Sequence, residues 1–475
     1  TSPVARSTSA PTGAPTTPAG IEGCVSGYNS SATVDYFSEK AEIKYAQTFA
    51  VTYESSYKVL NITGIVYILY QCGTPKPELS NMTVQEYISV PVTRVATGTT
   101  DHIPRIELLG HRDSIVAYTA DTSLIGSPCV DALVTDGTIV EATSNINCTS
   151  FGFTFEASVA DNETLVELGV DVAFGDGLFT SYCDGAPMRE KAVAVVSYLE
   201  TGPNVGLAQA EVIKLFSLFY NEEAKGNEIF EEIEYLWDCT KNNAQGCSLR
   251  LENAPEVAWF PFFDSTGDAR WSTPRPDVYY SYAINNTGGV MIECPQPADN
   301  VTNMMTDEEM VACFSNATVC VFAADYNEVE LMVEEEVLNN LTCVQNGRVY
   351  DITLSGINAW FEAQSVEPHV YMEDLVVALH GEGFNYGIGS YERLLLRYVA
   401  EEESESGSYY PDVGTCDDPD AAVEIQGQCD VILDFSTCEE SPAVRVLPSL
   451  VGISALTLAA AATLIFAAFV DASLP

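Results

Sequence analysis

Positive charge is what this chain has least of. Lys and Arg number 20 against 68 Asp and Glu, a formal net charge of −48 over 475 residues. Such a surface repels polyphosphate and excludes nucleic acid as a partner. Histidine is also scarce: His102, His111, His369 and His380 are scattered, with no HxxxH or HExxH spacing, so no dedicated zinc site is expected. The chain has no CxxC, no DxDxDG-like calcium loop with a distal Glu, and no GxSxG, P-loop or GxGxxG fingerprint. With no nucleophile–base pair and no metal constellation, the sequence reads as a non-enzyme without a catalytic cofactor.

What is present points outside the cytosol. The 14 cysteines are an even number, and close pairs such as Cys239/Cys247 and Cys313/Cys320 are expected to close short surface loops, the full connectivity staying open. N-x-S/T sequons stand at Asn29, Asn61, Asn81, Asn147, Asn162, Asn285, Asn300, Asn316 and Asn340, which together suggest glycosylation in a secretory pathway. The first residue is not Met, consistent with removal of a signal peptide. Leu450 to Val470 carries no charge and is long enough to span a bilayer. It is expected to be a single-pass anchor or a removable GPI signal preceded by small residues from Ser436 to Ser441. Either places the body at the cell surface or on an endomembrane, outside the cytosol.

The chain is long enough for two domains with real cores. Residues 1–40 form a Thr/Ser/Pro-rich leader. FAVTY (Phe49 to Tyr53), YKVLNI (Tyr57 to Ile62) and IVYILY (Ile65 to Tyr70) read as strands. Further strands are expected at Val90 to Thr97, Ser114 to Tyr118, Val170 to Phe174 and Ala192 to Val196, alternating with helices at Ile103 to Leu109 and Thr164 to Gly169. The alternation restarts with strands at Val257 to Phe260, Thr318 to Phe322 and Arg348 to Ile352, then a helix at Met372 to Leu379. Between the halves, apolar residues at helical spacing run from Ala208 to Trp237. The fold class is therefore α/β: an N-terminal lobe over 41–197 that begins with β structure, a single long linking helix over 198–238, and a C-terminal lobe over 239–400. Residues 401–446 read as an acidic, Cys-containing stalk, and 447–475 as the anchor or GPI signal.

Four stretches carry a resemblance. They are FAVTYESSYKVLNI with IVYILYQCGTPKP, then VPVTRVATGTTDHIPRIELLGHRDSIVAY, then YLETGPNVGLAQAEVIKLFSLFYNEEAKGNEIFEEI, then VQNGRVYDI with WFEAQSVEPHVYMEDLVVALHG. In this order they resemble the substrate-binding proteins of bacterial ABC importers for cobalamin and ferric siderophores, over roughly residues 41–400. With the sequons and the apolar tail, the combination looks like the cobalamin-acquisition proteins of diatoms and other algae. The resemblance implies two α/β lobes joined by one helix (the class III periplasmic-binding-protein arrangement), a ligand held between them, and an uptake receptor or transporter downstream.

In such a fold the ligand lies at the C-terminal ends of the strands. That rule selects Thr99, Thr100, Asp101, His102, Tyr118, Asp121 and Asp176 from the first lobe. From the second it selects Trp259, Phe262, Phe263, Trp271, Asp325 and Tyr326, with Trp360 closing one edge. Aromatic faces suit a flat macrocycle. Anionic siderophores call for Arg or Lys, and the chosen loops hold only Arg270 and Arg275. Capture of cobalamin is therefore the leading expectation. A ferric siderophore is the alternative, and a ligand-free structural surface glycoprotein the reading from another class.

Overall fold

The computed structural model describes residues 23–29, 34–80, 82–150, 153–176, 190–195, 200–248, 254–261, 263, 269–295, 304–380, 392–400, 409–410, 416, 418–427 and 429. The first sheet contains β1 (Phe49–Tyr53), β2 (Tyr57–Ile62), β3 (Ile65–Gln71) and β4 (Glu86–Val90) in that spatial order. β1, β2 and β3 pair antiparallel, and β4 runs parallel to β3. The two-residue loop between β2 and β3 is Thr63–Gly64, with φ of 49° and 91°. Both values lie in the left-handed region that a tight hairpin of this twist demands. Glycine adopts it freely; the β-branched Thr63 does not.

The second sheet has the order β11-β10-β5-β6-β7, all parallel. Its strands are β5 (Val95–Thr97), β6 (Ile115–Tyr118), β7 (Val140–Glu141), β10 (Val172–Asp176) and β11 (Ala192–Val195). A hairpin of β8 (Thr143–Ser150) and β9 (Phe153–Ala160) stands apart. The helices of this unit are α1 (His102–Leu108), α2 (Pro128–Thr135) and α3 (Asn162–Glu167). Every residue of β5 is buried, as expected for a parallel strand covered on both faces. The expected strand from Val90 to Thr97 is two strands of different sheets. Pro91 supplies no N–H donor where the ladder breaks.

The expected single helix over 198–238 is three: α4 (Val205–Ala210), α5 (Val212–Tyr220) and α6 (Glu223–Ser248). Asn221, at φ 58°, ends α5 in the left-handed conformation. The buried Lys58 holds that break from β2. Its Nζ lies 2.6 Å from the Leu218 carbonyl, 2.8 Å from Asn221 Oδ1 and 2.6 Å from Glu223 Oε1. Burial pushes the Lys58 ammonium down to about 8 even with Glu223 beside it.

The third sheet has the order β14-β12-β16-β17-β18, parallel except for its last strand. It contains β12 (Glu256–Phe260), β14 (Val290–Met291), β16 (Val319–Phe322), β17 (Val349–Asp351) and β18 (Arg397–Tyr398). β13 (Ala269–Ser272) and β15 (Met304–Thr306) form a small antiparallel pair. The helices are α7 (Tyr279–Asn286), α8 (Asp307–Phe314), α9 (Tyr326–Met332), α10 (Glu335–Leu338), α11 (Thr342–Gln345), α12 (Ile357–Ala363) and α13 (Pro368–His380). One contiguous core runs from Phe174 and Phe216 through Trp237 to Trp259 and Trp360, so the two parallel sheets share packing.

Five disulfides join described residues: Cys24–Cys72, Cys129–Cys416, Cys239–Cys429, Cys294–Cys313 and Cys320–Cys343. They correct the expected local pairs. Cys239 reaches a residue 190 positions away, and Cys313 and Cys320 pair with Cys294 and Cys343. Spacing along the chain says little about which thiols meet once helices and strands intervene. Within 401–446, Tyr409, Tyr410 and Cys429 are buried against the body, and Cys416 and Cys429 are bonded to it. Among the described residues no helix is long and apolar enough to cross a membrane; 450–470 lies outside them. Of the sequon asparagines, Asn29, Asn61, Asn285, Asn316 and Asn340 are exposed.

Candidate functional site

The C-terminal ends of the second and third sheets meet at a seam. From the first come the loops after β5 and β6. From the second comes α12, which follows β17. Gly126 N–H donates to Glu362 Oε1 at 2.6 Å, and Asn358 Nδ2 donates to the Ser123 carbonyl at 2.9 Å. Deeper, Arg105 Nη2 donates to the Ser365 carbonyl at 3.0 Å and to the Gln209 carbonyl at 3.2 Å, while Ser365 Oγ lies 3.4 Å from Asp101 Oδ2. Arg105 also pairs with Asp101, one turn earlier, at 2.7 Å.

Local sequence explains how these groups are presented. Asp121 caps the turn after β6 through Ser123 N–H at 2.9 Å. Ser127 caps α2, with Pro128 opening the helix where no N–H is needed. Gly126 lies between these caps, and a Cβ there would stand 2.8 Å from Ala359 N and 2.9 Å from Glu362 Oε2. Only glycine lets the loop approach α12 this closely.

The seam is rich in buried carboxyls. Glu107, Glu362 and Glu367 are all within 2% of full burial. Burial pushes Glu362 up to about 8, against the lowering effect of the hydrogen bonds from Tyr410 and Gly126. It pushes Glu367 up to about 7, and it raises Glu107 although Arg112 pairs with that group at 2.6 Å. Desolvation outweighs the hydrogen bonds at each site.

The selected residues divide into two sets. Thr99, Asp101, Tyr118 and Asp121 do gather at the seam, while Thr100 shows only a backbone bond to Ile103 N. Thr99 Oγ1 donates to Asp101 Oδ1 at 2.6 Å. Tyr118 is buried, and its hydroxyl has no hydrogen-bond partner among the described residues. Burial, with the carboxyls of Glu362, Asp101 and Asp121 nearby, raises its pKa. His102, by contrast, is packed inward against Phe174 and Phe216, with Nδ1 3.0 Å from Thr97 Oγ1, and burial pushes it down to about 4. The backbone of Asp176 ends β10; its side chain, like all of Phe262, lies outside the described residues.

The aromatic residues chosen from the second unit are mostly core. Trp259 is fully buried, stacked on Tyr280 with centroids 5.0 Å apart and 6.1 Å from the buried Trp360. Trp271 is fully buried beside Phe260 and the half-buried Phe263, and its Nε1–H donates to Asp307 Oδ1 at 2.7 Å. Tyr326 is buried against Phe322. Asp325 caps α9 and pairs with Arg397 at 2.7 Å. Arg270 pairs with Asp307 at 3.0 Å and Arg275 with Asp277 at 3.5 Å. Sequence reading missed Arg105, Gly126, Asn358, Glu362 and Ser365. The stretch holding Glu362 was chosen for its aromatics, and nothing in the sequence marks this Glu as buried among so many acidic residues.

No protein-family model matches the sequence, and no curated protein matches it. Among solved structures, similar chains are periplasmic solute-binding proteins. One is a possible iron-binding protein from Staphylococcus epidermidis, at 11% identity over 61% of this chain and 99% of that one, with a TM-score of 0.42. A second is the siderophore-binding protein BauB, solved with ferric iron and two acinetobactin molecules, at 13% identity over 62% and 94%, TM-score 0.43. A third is the vitamin B12 binding protein of Vibrio cholerae, at 13% identity over 60% and 98%, TM-score 0.36.

Proposed function

We propose that this protein is a non-enzymatic binding protein that captures a small organic ligand between its two α/β units, and that the ligand is a corrinoid such as cobalamin. The observation that carries the proposal is the meeting of two parallel sheets at their C-terminal ends, the place where open α/β sheets bind ligands. A ligand of no net negative charge fits the seam's electrostatics. The arginines described there, Arg105 and Arg112, are already paired with Asp101 and Glu107. The buried Tyr118 hydroxyl is a donor suited to an amide carbonyl. Delivery would be to an uptake receptor or transporter, from a glycosylated, C-terminally anchored body outside the cytosol.

Calorimetric and spectral titration of the full chain with cyanocobalamin tests this. One-to-one binding, weakened by Tyr118→Phe or Thr100→Ala, supports it. Absence of heat and of any thermal shift removes the corrinoid, and the same titration with a ferric hydroxamate siderophore then tests the alternative. A second reading has its own observation. The seam is closed by direct hydrogen bonds, and Trp259 and Trp360 are fully buried, as suits a structural surface glycoprotein that binds nothing there. Silence with both ligands favours that reading.

A further inference from the structure

The C-terminal segment returns to the seam and is tied down on both sides of it. Tyr409 and Tyr410 are buried, and their hydroxyls donate to Glu367 and Glu362 of the C-terminal unit. Cys416 is then bonded to Cys129 on α2 of the N-terminal unit. Arg112, also of the N-terminal unit, donates to the carbonyls of Pro419 and Ala421. The chain next crosses to α13. Gln426 N–H donates to Glu367 Oε1 at 2.7 Å, and the Gln426 carbonyl lies 2.7 Å from His369 Nε2. Cys429 finally closes on Cys239 of α6. The segment therefore touches both α/β units and the helix between the two sheets in sequence.

One side chain joins this strap to the seam. Glu362 receives Gly126 N–H of the N-terminal unit on one oxygen and the Tyr410 hydroxyl on the other. Tyr410 thus fixes the orientation of the carboxyl that closes the seam. Beside this point lies a cavity of about 410 Å³, lined by Ile125, Gly126, Pro128, Asp131 and Cys416. Between these anchors Val423 and Ile425 pack against the core.

We propose that the described residues of this segment, from Tyr409 to Cys429, are an interlobe latch, which holds the seam closed through Glu362 and must be displaced for the seam to open. A ligand entering at the strand ends would be admitted or retained according to the state of this latch. The geometric claim stands independently of the ligand.

Hydrogen exchange on the full chain, followed by mass spectrometry without any ligand, tests it. The variants are Tyr410→Phe, which removes one hydroxyl, and the pair Cys129→Ser with Cys416→Ser. Each is expected to speed exchange in peptides covering 119–127 and 357–363 by about tenfold, the scale of one lost hydrogen bond, with β12 and β16 unchanged. Unchanged exchange in 119–127 overturns the proposal, whether or not 418–427 itself loosens. If the cysteine pair does not fold, Tyr410→Phe alone decides, with Glu362→Gln, which keeps an acceptor for Gly126 N–H, expected to leave exchange in 119–127 slow.

Discussion

Gly126→Ala asks whether the seam is as tight as the structure shows. The new Cβ would lie 2.8 Å from Ala359 N, 2.9 Å from Glu362 Oε2 and 3.0 Å from the Asn358 carbonyl carbon. Two of these are backbone atoms, so no rotamer change relieves the contact. Ordinary separation needs roughly 3.5 Å, and the first turn of α12 must withdraw by about 0.7 Å. Overpacking of this kind costs about 1–3 kcal/mol. Withdrawal also weakens the bond from Gly126 N–H to Glu362. Burial holds that carboxyl protonated at neutral pH, with its pKa near 8, so a neutral hydrogen bond worth about 1 kcal/mol is at stake. Against this, alanine lowers the entropy of the unfolded chain, a gain of about 0.4–1 kcal/mol. The net expectation is a loss of about 2–3 kcal/mol, read by denaturant unfolding with disulfides intact. Gly175→Ala is the control, because a Cβ there meets nothing within 4 Å. If Gly126→Ala is as stable as the control, the close approach of loop and helix is wrong.

Other expectations follow from particular residues. Glu362 is raised to about 8 in the folded protein from a reference of 4.5, so its contribution is fully present below about pH 4.5 and is lost as pH rises through 8. Glu362→Gln should therefore cost less stability at pH 8 than at pH 5, and equal cost at both would contradict the assignment. His102 titrates the other way: depressed to about 4, it disfavours folding as pH falls from about 6.5 toward 4, so His102→Asn should lessen the acid sensitivity seen in thermal melts. Thr63→Asn relieves a β-branched residue at φ 49° and should stabilise unglycosylated protein by about 0.5–1 kcal/mol, while abolishing any glycan at Asn61 seen by mass spectrometry. Trp259→Ala should cost about 3–5 kcal/mol of stability, measurable with no ligand present, because the ring is fully buried. A stable Trp259→Ala that lost only ligand affinity would return this residue to the cleft.

Much of the fold was legible because local pattern and tertiary environment agree. Phe49–Tyr53 and Tyr57–Ile62 alternate or run apolar between turn residues, and they are strands with those same limits. Val257 to Phe260 is uniformly apolar because β12 is covered on both faces. The helical spacing from Ala208 to Trp237 correctly indicated helix. The break at Asn221 was hidden, since it depends on Lys58 from a distant strand. The site was half legible. The strand-end rule led to Asp101, Tyr118 and Asp121, which do reach the seam, but aromatic character alone could not separate an exposed ring from a packed one, and Trp259 and Trp271 are packed.

By itself, then, the sequence determined the α/β class and the strongly acidic charge balance, because composition and periodicity are properties of neighbours along the chain. Tertiary structure alone decided the disulfide partners, the return of the C-terminal segment, and which of the 68 acidic residues, Glu362 among them, stand at the seam. Those depend on burial and on contacts across 19 to 287 positions, set by which surfaces pack together rather than by which residues adjoin.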